Sequence, residues 1–536
     1  MRFPSFLTRH HSTIASASII LAISSLLSRL LGLFRDRLLA GKFGTGSLLD
    51  AYQISFLLPD FIYNLFIVGA LSAAFIPIFV EIYEKSKTRA WELGSRLLNL
   101  LSLFIIFILF LCFLFTPQLI NLLGRLSETA GTHYNQENLD LIVNLTRLML
   151  LSPLLLGISG LFTSILQSLK HFLAPALAPL LYNLGIIFGI IVLNPLYGIY
   201  GVAGGVIIGA VLHLFIQVPW LFASGFQYQL KFKMVKEVIR VIKLAIPRTL
   251  GLVAIQMSFW INKIIAFTLG VGAVSVYYFA NNLQSLPIGL FGVSIATAAF
   301  PHLAEYTNGK KKLKFVQTLS QSFCQILYLT VPISILFLLL RAQIVRLVLG
   351  TGMFDWQATI NTANTLGFFA ISIFAQSLVL LLSRAFYALQ DTKTPVIINV
   401  LSLIINIVLG IILSHKMGII GLGLAYSLAN LFDMIVLLIV LRLRLEHFED
   451  APVIKCSFKI IIASFIMGLA VYGSLHLIAP FVDMHRFWGI ATQALGASLV
   501  GLGIYLILGV LFKTEEAKII LSKLKKTNAK SDFPSL

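Results

Sequence analysis

Runs of about twenty apolar residues recur along this chain, each closed by a short polar interval, and a run of that length crosses a bilayer as a helix. Fourteen such runs can be marked, at roughly 13–36, 49–80, 97–120, 140–168, 173–194, 198–224, 241–269, 271–303, 316–340, 357–389, 395–414, 418–441, 456–480 and 487–512. The pattern predicts an all-α polytopic membrane protein with fourteen transmembrane helices. The first run follows a basic head, MRFPSFLTRHH, but it is too long for a signal peptide and lacks a clear small-residue cleavage site, so a retained helix is expected.

Two parts of the pattern resemble each other. GIYGVAGGVIIGAVLHLF (198–215) aligns with GIIGLGLAYSLANLFDMI (418–435), and upstream LQSLKHFLAPALAPLLYN (166–183) and LQDTKTPVIIN (389–399) share Leu-Gln, a basic turn and Pro-x-x-x-Asn. The spacing is 216 residues upstream and 220 downstream, so one small indel is needed. Each copy follows an even number of spans and therefore has the same orientation, the arrangement of transporters built from two six-helix lobes about an axis along the membrane normal. Chance likeness between Gly-rich helices is the competing reading. The repeat divides the chain into an N-terminal lobe (1–224, helices 1–6), a C-terminal lobe (225–450, helices 7–12), two extra helices (451–512) and a basic tail (513–536).

Composition agrees with a membrane class: 58% hydrophobic and 11% charged residues, against about 25% charged in soluble domains. A formal net charge of +19 raises nucleic acid as a partner, but the positions of the cations give a topological reading instead. Lys85, Lys87 and Arg89, then Lys231, Lys233 and Lys236, then Lys310, Lys311, Lys312 and Lys314, and the KLKKTNAK tail fall in alternate connections. This bias puts both termini in the cytoplasm and excludes nucleic acid. Cys112, Cys324 and Cys456 have no paired spacing and read as core packing, with neither a disulfide framework nor a metal site expected. No phosphate loop, HExxH or GxSxG is present, so a transporter rather than an enzyme is expected, with no cofactor.

Ionisable side chains inside a span cost about 2.5–3.5 kcal/mol each on insertion scales, and usually face a wet cavity or a partner. In the second span Asp50, Gln53, Asp60, Asn64 and Ser72 recur at helical spacings that confine them to one side, with Pro59 expected to kink the helix and blur the phase, a polar stripe that suits a cavity lining or a hydrogen-bonded helix contact. In the eighth, Ser275, Tyr278, Asn282 and Ser285 repeat the spacing. The first span carries Arg29, Arg35 and Asp36, and the seventh Arg248 and Lys263. A cavity with that excess of cations attracts an anion, and the planar fork of Arg suits phosphate. Arg37 reads as a snorkelling interfacial anchor.

SRLLGLFRD (28–36), FGTGSLLDAY (43–52), GALSAAFIPIF (69–79), LPIGLFGVSIATAAFP (286–301) and RAFYALQDTKTP (384–395) are similar, in order and spacing, to the MurJ (MviN) lipid II flippases of the multidrug/oligosaccharidyl-lipid/polysaccharide exporter superfamily. The resemblance implies a cationic central cavity for the pyrophosphate-sugar head group of lipid II, and a groove formed with the last two helices for the polyprenyl tail. It implies alternating access from the cytoplasmic to the outer leaflet of a bacterial inner membrane, for peptidoglycan synthesis. The family's first-helix arginines and following acid match Arg29, Arg35 and Asp36, and its D-A-F acid matches Asp50.

Elsewhere the chain departs from the family. PDFIYNLFIVGA stands for P-N-x-x-R-R-x-F-x-E-G-A, so Tyr63 and Asn64 replace both arginines and Val68 the Glu; ANNLQSLP stands for A-D-R-L-x-E-x-P, so Asn282 and Ser285 replace an Arg and a Glu. Asn262 occupies the place of an acid associated with sodium in some members. The expected substrate-binding set is Arg29, Arg35, Asp36 and Lys263, with Asp50, Gln53, Asp60, Asn64, Asn282 and Ser285 as cavity-lining polar residues. A monomer is expected, bound to lipid II or a similar polyprenyl-pyrophosphate glycolipid and to membrane lipids. Coupling to an ion gradient or the membrane potential is left without an assigned ion. An exporter of another lipid-linked oligosaccharide, a drug or cation antiporter using Asp433, and a non-transporting scaffold are the alternatives.

Overall fold

The computed structural model describes residues 14–64, 71–306, 312–445, 450–484 and 486–517. These residues are almost wholly helical, and the described parts of the fourteen expected spans fall largely on helix. Among the described residues, ten helices are long and apolar enough to cross a membrane, eleven if Trp356–Ala370 and Ile373–Ala388, bent by 43° at their junction, count as one span. Wide lipid-type surfaces accompany them, such as the exposed Phe104, Phe107, Phe110 and Leu114 of the helix Lys87–Thr129.

The chain packs into two compact units. Unit 1 runs to Ser275 and takes back Thr351–Asp355; unit 2 holds Val276–Gly350 and Trp356 onward. The helix Lys236–Thr268, expected to open the second lobe, therefore belongs to unit 1, where it packs on Leu71–Lys85 and Lys87–Thr129. The unit 1 helices used below are α1 (Ile14–Phe43), α2 (Ser47–Ser55), α3 (Leu57–Tyr63), α4 (Leu71–Lys85), α5 (Lys87–Thr129), α6 (Gln136–Met149), α7 (Leu151–Ser168), α8 (Leu173–Phe188), α9 (Ile199–Phe215) and α10 (Lys236–Thr268). One of its cores joins Phe75 and Phe79 of α4 to Trp91 of α5, Leu161 and Ile165 of α7, and Phe226. Trp91 meets the rings of Phe79 and Phe226 at 5.6 Å each.

The repeat is visible in backbone geometry. Lys170 and Gln390 both take the left-handed region, at φ 62° and 61°. Gly198 and Gly418 adopt φ 57°, ψ −142° and φ 61°, ψ −144°. Both pairs stand 220 residues apart, so a single spacing covers the repeat and the indel is not needed. The upstream alignment slipped by four residues, one helical turn, because Pro175 and Pro179 offer two equivalent registers against Pro395. Gly198 closes α8 and its π-helical extension onto α9 through an approach that only small residues permit. A Cβ on Gly185 would lie 2.3 Å from the Gly209 Cα, and one on Gly205 2.7 Å from the Gly189 Cα.

Unit 2 packs Lys312–Leu339, Ile373–Ala388, Ile419–Arg444, Asp450–Ile478 and Phe487–Leu511 around Phe315, Phe386, Leu437, Met467 and Tyr505. Here Cys324 and Cys456, expected as separate core side chains, form a disulfide with Cα atoms 6.2 Å apart, and Cys112 is free. The pairing joins two helices separated by 132 residues, a proximity that spacing along the sequence does not carry.

The second span is interrupted near Pro59, where a kink is expected: α2 and α3 are separated by a turn at Phe56, and residues 65–70, Val68 among them, lie outside the described residues. Pro59 near the start of α3 explains part of the break, because its ring supplies no N–H to the preceding turn. The expected stripe is thereby divided, and Asp50 and Asp60 have different surroundings.

Candidate functional site

α1 places two arginines within an otherwise apolar span. Arg35 donates from Nε and Nη2 to Asp36 Oδ1 at 3.0 and 2.9 Å, and from Nη1 to Asn183 Oδ1 of α8 at 3.2 Å. Asn183 is turned by its own bonds, donating to Ser28 Oγ at 3.2 Å and to the Pro179 carbonyl at 3.1 Å. The Arg35 and Asp36 side chains retain only 18% and 4% of their exposure. Such a pair loses hydration and is held where extra hydrogen bonds fix its geometry, here Asn183. Arg29, about two turns earlier on α1, is half-buried and makes no hydrogen bond or ion pair with any described residue.

Lys263 of α10 is 2% exposed. Its Nζ donates to the Gln53 carbonyl at 3.3 Å and lies 4.9 Å from the Phe259 ring centroid. That carbonyl is available because α2 ends at Ser55, leaving the last carbonyls of the helix without intrahelical donors. The Gln53 amide nitrogen is buried without a partner among the described residues. Asp60 of α3 is acted on electrostatically by Lys263 and Arg35, and Asn64 caps back onto the Asp60 carbonyl at 2.8 Å. The Arg248 side chain lies outside the described set.

Asp50 serves a different purpose from the open cavity group expected. It is 1% exposed and accepts from Gly272 N at 2.5 Å, Ser275 N at 2.8 Å and Ser275 Oγ at 2.5 Å, capping the helix that begins at Ala273. The surrounding FGTG segment is tightly fitted. Gly272 sits at φ 91° with its missing Cβ 2.5 Å from the Thr45 carbonyl, and Met353 N donates to the Gly41 carbonyl at 2.9 Å. The structure thus separates the expected residues of unit 1: Arg35, Asp36, Lys263 and Asp60 act on one another, whereas Asp50 holds a junction of chain segments.

In unit 2, Asn282 is half-buried and Ser285 is exposed, its hydroxyl donating to the Asn282 carbonyl at 2.8 Å. A separate polar chain there runs from Gln284 through Gln376 at 3.0 Å to Tyr426 at 3.3 Å. Asp433 is 6% exposed, with one carboxylate oxygen unpaired among the described residues. The Glu516 carboxylate lies within 4.8 Å of the Cys324 and Cys456 sulfurs, but their disulfide leaves no thiolate to ligate a metal. Asn183 and His213 are further polar groups of the site; their signal in the sequence is the one amide and the one imidazole in helices that otherwise carry no amide or ionisable group but tyrosine.

Comparison with known proteins places these features in a family. A family model described as "Lipid II flippase MurJ" matches residues 39–492. A probable lipid II flippase MurJ of Thermotoga maritima is 30% identical over 94% of this chain and 97% of its own length. One of Buchnera aphidicola subsp. Acyrthosiphon pisum is 29% identical over 78% and 82%. Among solved structures, "Lipid II flippase MurJ, inward closed conformation" superposes with a TM-score of 0.76 at 28% identity, over 92% of this chain and 98% of that one. A multidrug transporter of the MATE family gives 0.62 at 16% identity over 80% and 98%, a likeness of fold alone. The motifs of α1 and α2, the two-unit helical fold and these matches together show that the chain belongs to the MurJ family of lipid II flippases.

Proposed function

We propose that this chain carries lipid II, a polyprenyl-pyrophosphate-linked disaccharide peptide, from the cytoplasmic to the outer leaflet of a bacterial inner membrane by alternating access, supplying cell wall synthesis. It does so as a multi-pass transporter with both termini in the cytoplasm and without catalytic chemistry. The observation that carries this reading is Arg35, fixed within an apolar span by Asp36 and Asn183, with Arg29 on the same helix lacking a partner among the described residues. Guanidinium groups held in this way present paired donors to a pyrophosphate, and Lys263 adds a third cation in the same unit.

The experiment is rescue of a strain depleted of its flippase, with outer-leaflet lipid II measured by a membrane-impermeant binding probe. The unmodified chain is expected to restore export. A charge-assisted hydrogen bond contributes about 1.5–3 kcal/mol, so Arg29→Ala and Arg35→Ala are each expected to lower export about tenfold or more at equal membrane insertion. Full export by the doubly substituted chain would overturn the assignment of these arginines. Failure of a well-inserted unmodified chain to export lipid II would shift the substrate to another lipid-linked glycan.

A further inference from the structure

Inside unit 1, Asp60, Tyr63, Tyr182 and His213 line one cavity of about 230 Å3 whose other walls are largely apolar. At ~30 Å3 per water, a polar cavity of this size holds several water molecules. The Asp60 carboxylate has no hydrogen bond or ion pair with any described residue. His213, from α9, is differently placed: its Nδ1 is engaged with Ser159 Oγ at 2.7 Å, and Gln217 fixes Ser159 in turn at 2.6 Å. The ring is therefore oriented by a buried chain, and Nε2 remains as its second proton-exchanging atom. An acid and an oriented imidazole around water at membrane depth form the parts of a proton relay.

We propose that Asp60 is a proton-binding site of this chain, loaded through the cavity it shares with His213. The step is the addition of one proton to the Asp60 carboxylate: a hydronium ion entering from the aqueous phase gives its proton to His213 Nε2 and leaves water, and the imidazolium passes that proton from Nε2 through cavity water to the carboxylate, so that the neutral ring returns to its starting form. Among the described residues, the charged and titratable groups around Asp60 are Lys263 of α10, Arg35 of α1, Tyr63 of its own helix, Tyr182 of α8 and His213 of α9. Ionised Asp60 opposes the charge of Lys263 and Arg35; protonated Asp60 leaves that charge to an arriving anion. Proton and pyrophosphate then bind together, a linkage that rests on the function proposed above. The motif that this segment resembles has Asn where this chain has Asp60.

The test uses the full chain in lipid nanodiscs and two readouts. Infrared difference spectra between neutral and mildly acidic pH, with no substrate, are expected to gain a carboxylic-acid band that Asp60→Asn removes, His213→Gln shifts and Asp433→Asn retains. Persistence of the whole band in Asp60→Asn together with no shift in His213→Gln overturns the proposal, and the second variant decides it should the first fail to fold. In the other arm, undecaprenyl pyrophosphate is the probe. Its affinity is expected to rise by up to about tenfold per unit fall in pH for one linked proton, and to become flat in Asp60→Asn. An intact infrared band without probe binding supports the proton site while sinking the headgroup reading. Probe binding with neither band nor pH dependence sinks the proton site alone.

Discussion

Replacing Asp50 tests whether the FGTGSLLDAY segment is a structural junction or a substrate contact. Its carboxylate is 1% exposed and accepts from two backbone amides and a hydroxyl, at 2.5, 2.8 and 2.5 Å. In Asp50→Ala the hydroxyl can rotate to another acceptor, but the Gly272 and Ser275 amides are left buried without one. Each orphaned amide costs about 1–3 kcal/mol. Relief from burying a carboxylate returns part of that cost, leaving a net loss of about 3 kcal/mol. Asp50→Asn keeps one acceptor oxygen and should lose about half as much. For a cooperative unit of this size, roughly 2–4 °C of Tm accompanies each kcal/mol. Thermal unfolding of the purified chain should therefore fall by about 6–12 °C in Asp50→Ala and by about half that in Asp50→Asn. Ser275→Ala combined with Asp50→Ala should cost less than the sum of the single changes, because both remove the same bond. An Asp50→Ala chain as stable as the parent, but unable to export lipid II, would refute the capping argument and return Asp50 to the substrate site.

Two further outcomes follow from local geometry. Gly209→Ala puts a Cβ 2.5 Å from the Tyr182 carbonyl, whereas Gly204→Ala on the same helix meets only Leu193 Cδ1 at 3.7 Å; the first should destabilise by about 2–3 kcal/mol and the second should be near neutral in the same unfolding assay. Asp391, in the connection before Lys393–Met417, is raised by burial, but this is outweighed by Thr394 and Arg444, which hold its carboxyl at about 2. A depressed carboxyl contributes stability that is complete above the ordinary value of 3.8 and is lost as pH falls toward about 2. Accordingly, hydrogen exchange at Lys393 and Thr394, whose amides it accepts at 3.0 Å each, should show protection fading across that interval, and Asp391→Ala should remove the protection at neutral pH.

Helix placement was legible because twenty-residue apolar runs leave little alternative in a bilayer, and the repeat because Gly198 and Gly418 meet the same left-handed requirement. Less was legible where partners come from distant segments. The Cys324–Cys456 disulfide depends on packing between helices whose sequences say nothing about each other, and the role of Asp50 depends on the Gly272 and Ser275 amides, which lie more than 200 residues away in the chain. The second span was legible only in part: Pro59 announces a bend, but the different surroundings of Asp50 and Asp60 on either side of the turn at Phe56 are set by partners that periodicity does not show. Arg35 and Asp36 were readable because neighbouring charges in an apolar span have few other partners, whereas Asn183 was visible only as a repeat marker.

The substitutions that separate this chain from its family can now be read as a redistribution of charge rather than a simple loss. Tyr63, standing where the family has Arg, lines the same cavity as Asp60, and an acid occupies the family's Asn position three residues earlier. A missing cation and an added carboxylate both lower the positive potential of this part of unit 1. Lys263, reaching the carbonyl that the break after α2 exposes, restores one positive charge from α10. Asp36 is paired with Arg35, so the charge of Lys263 is opposed chiefly by Asp60. On the proposal made above, the protonation state of Asp60 would set how far the charge of Lys263 is compensated, and headgroup affinity would then vary with pH.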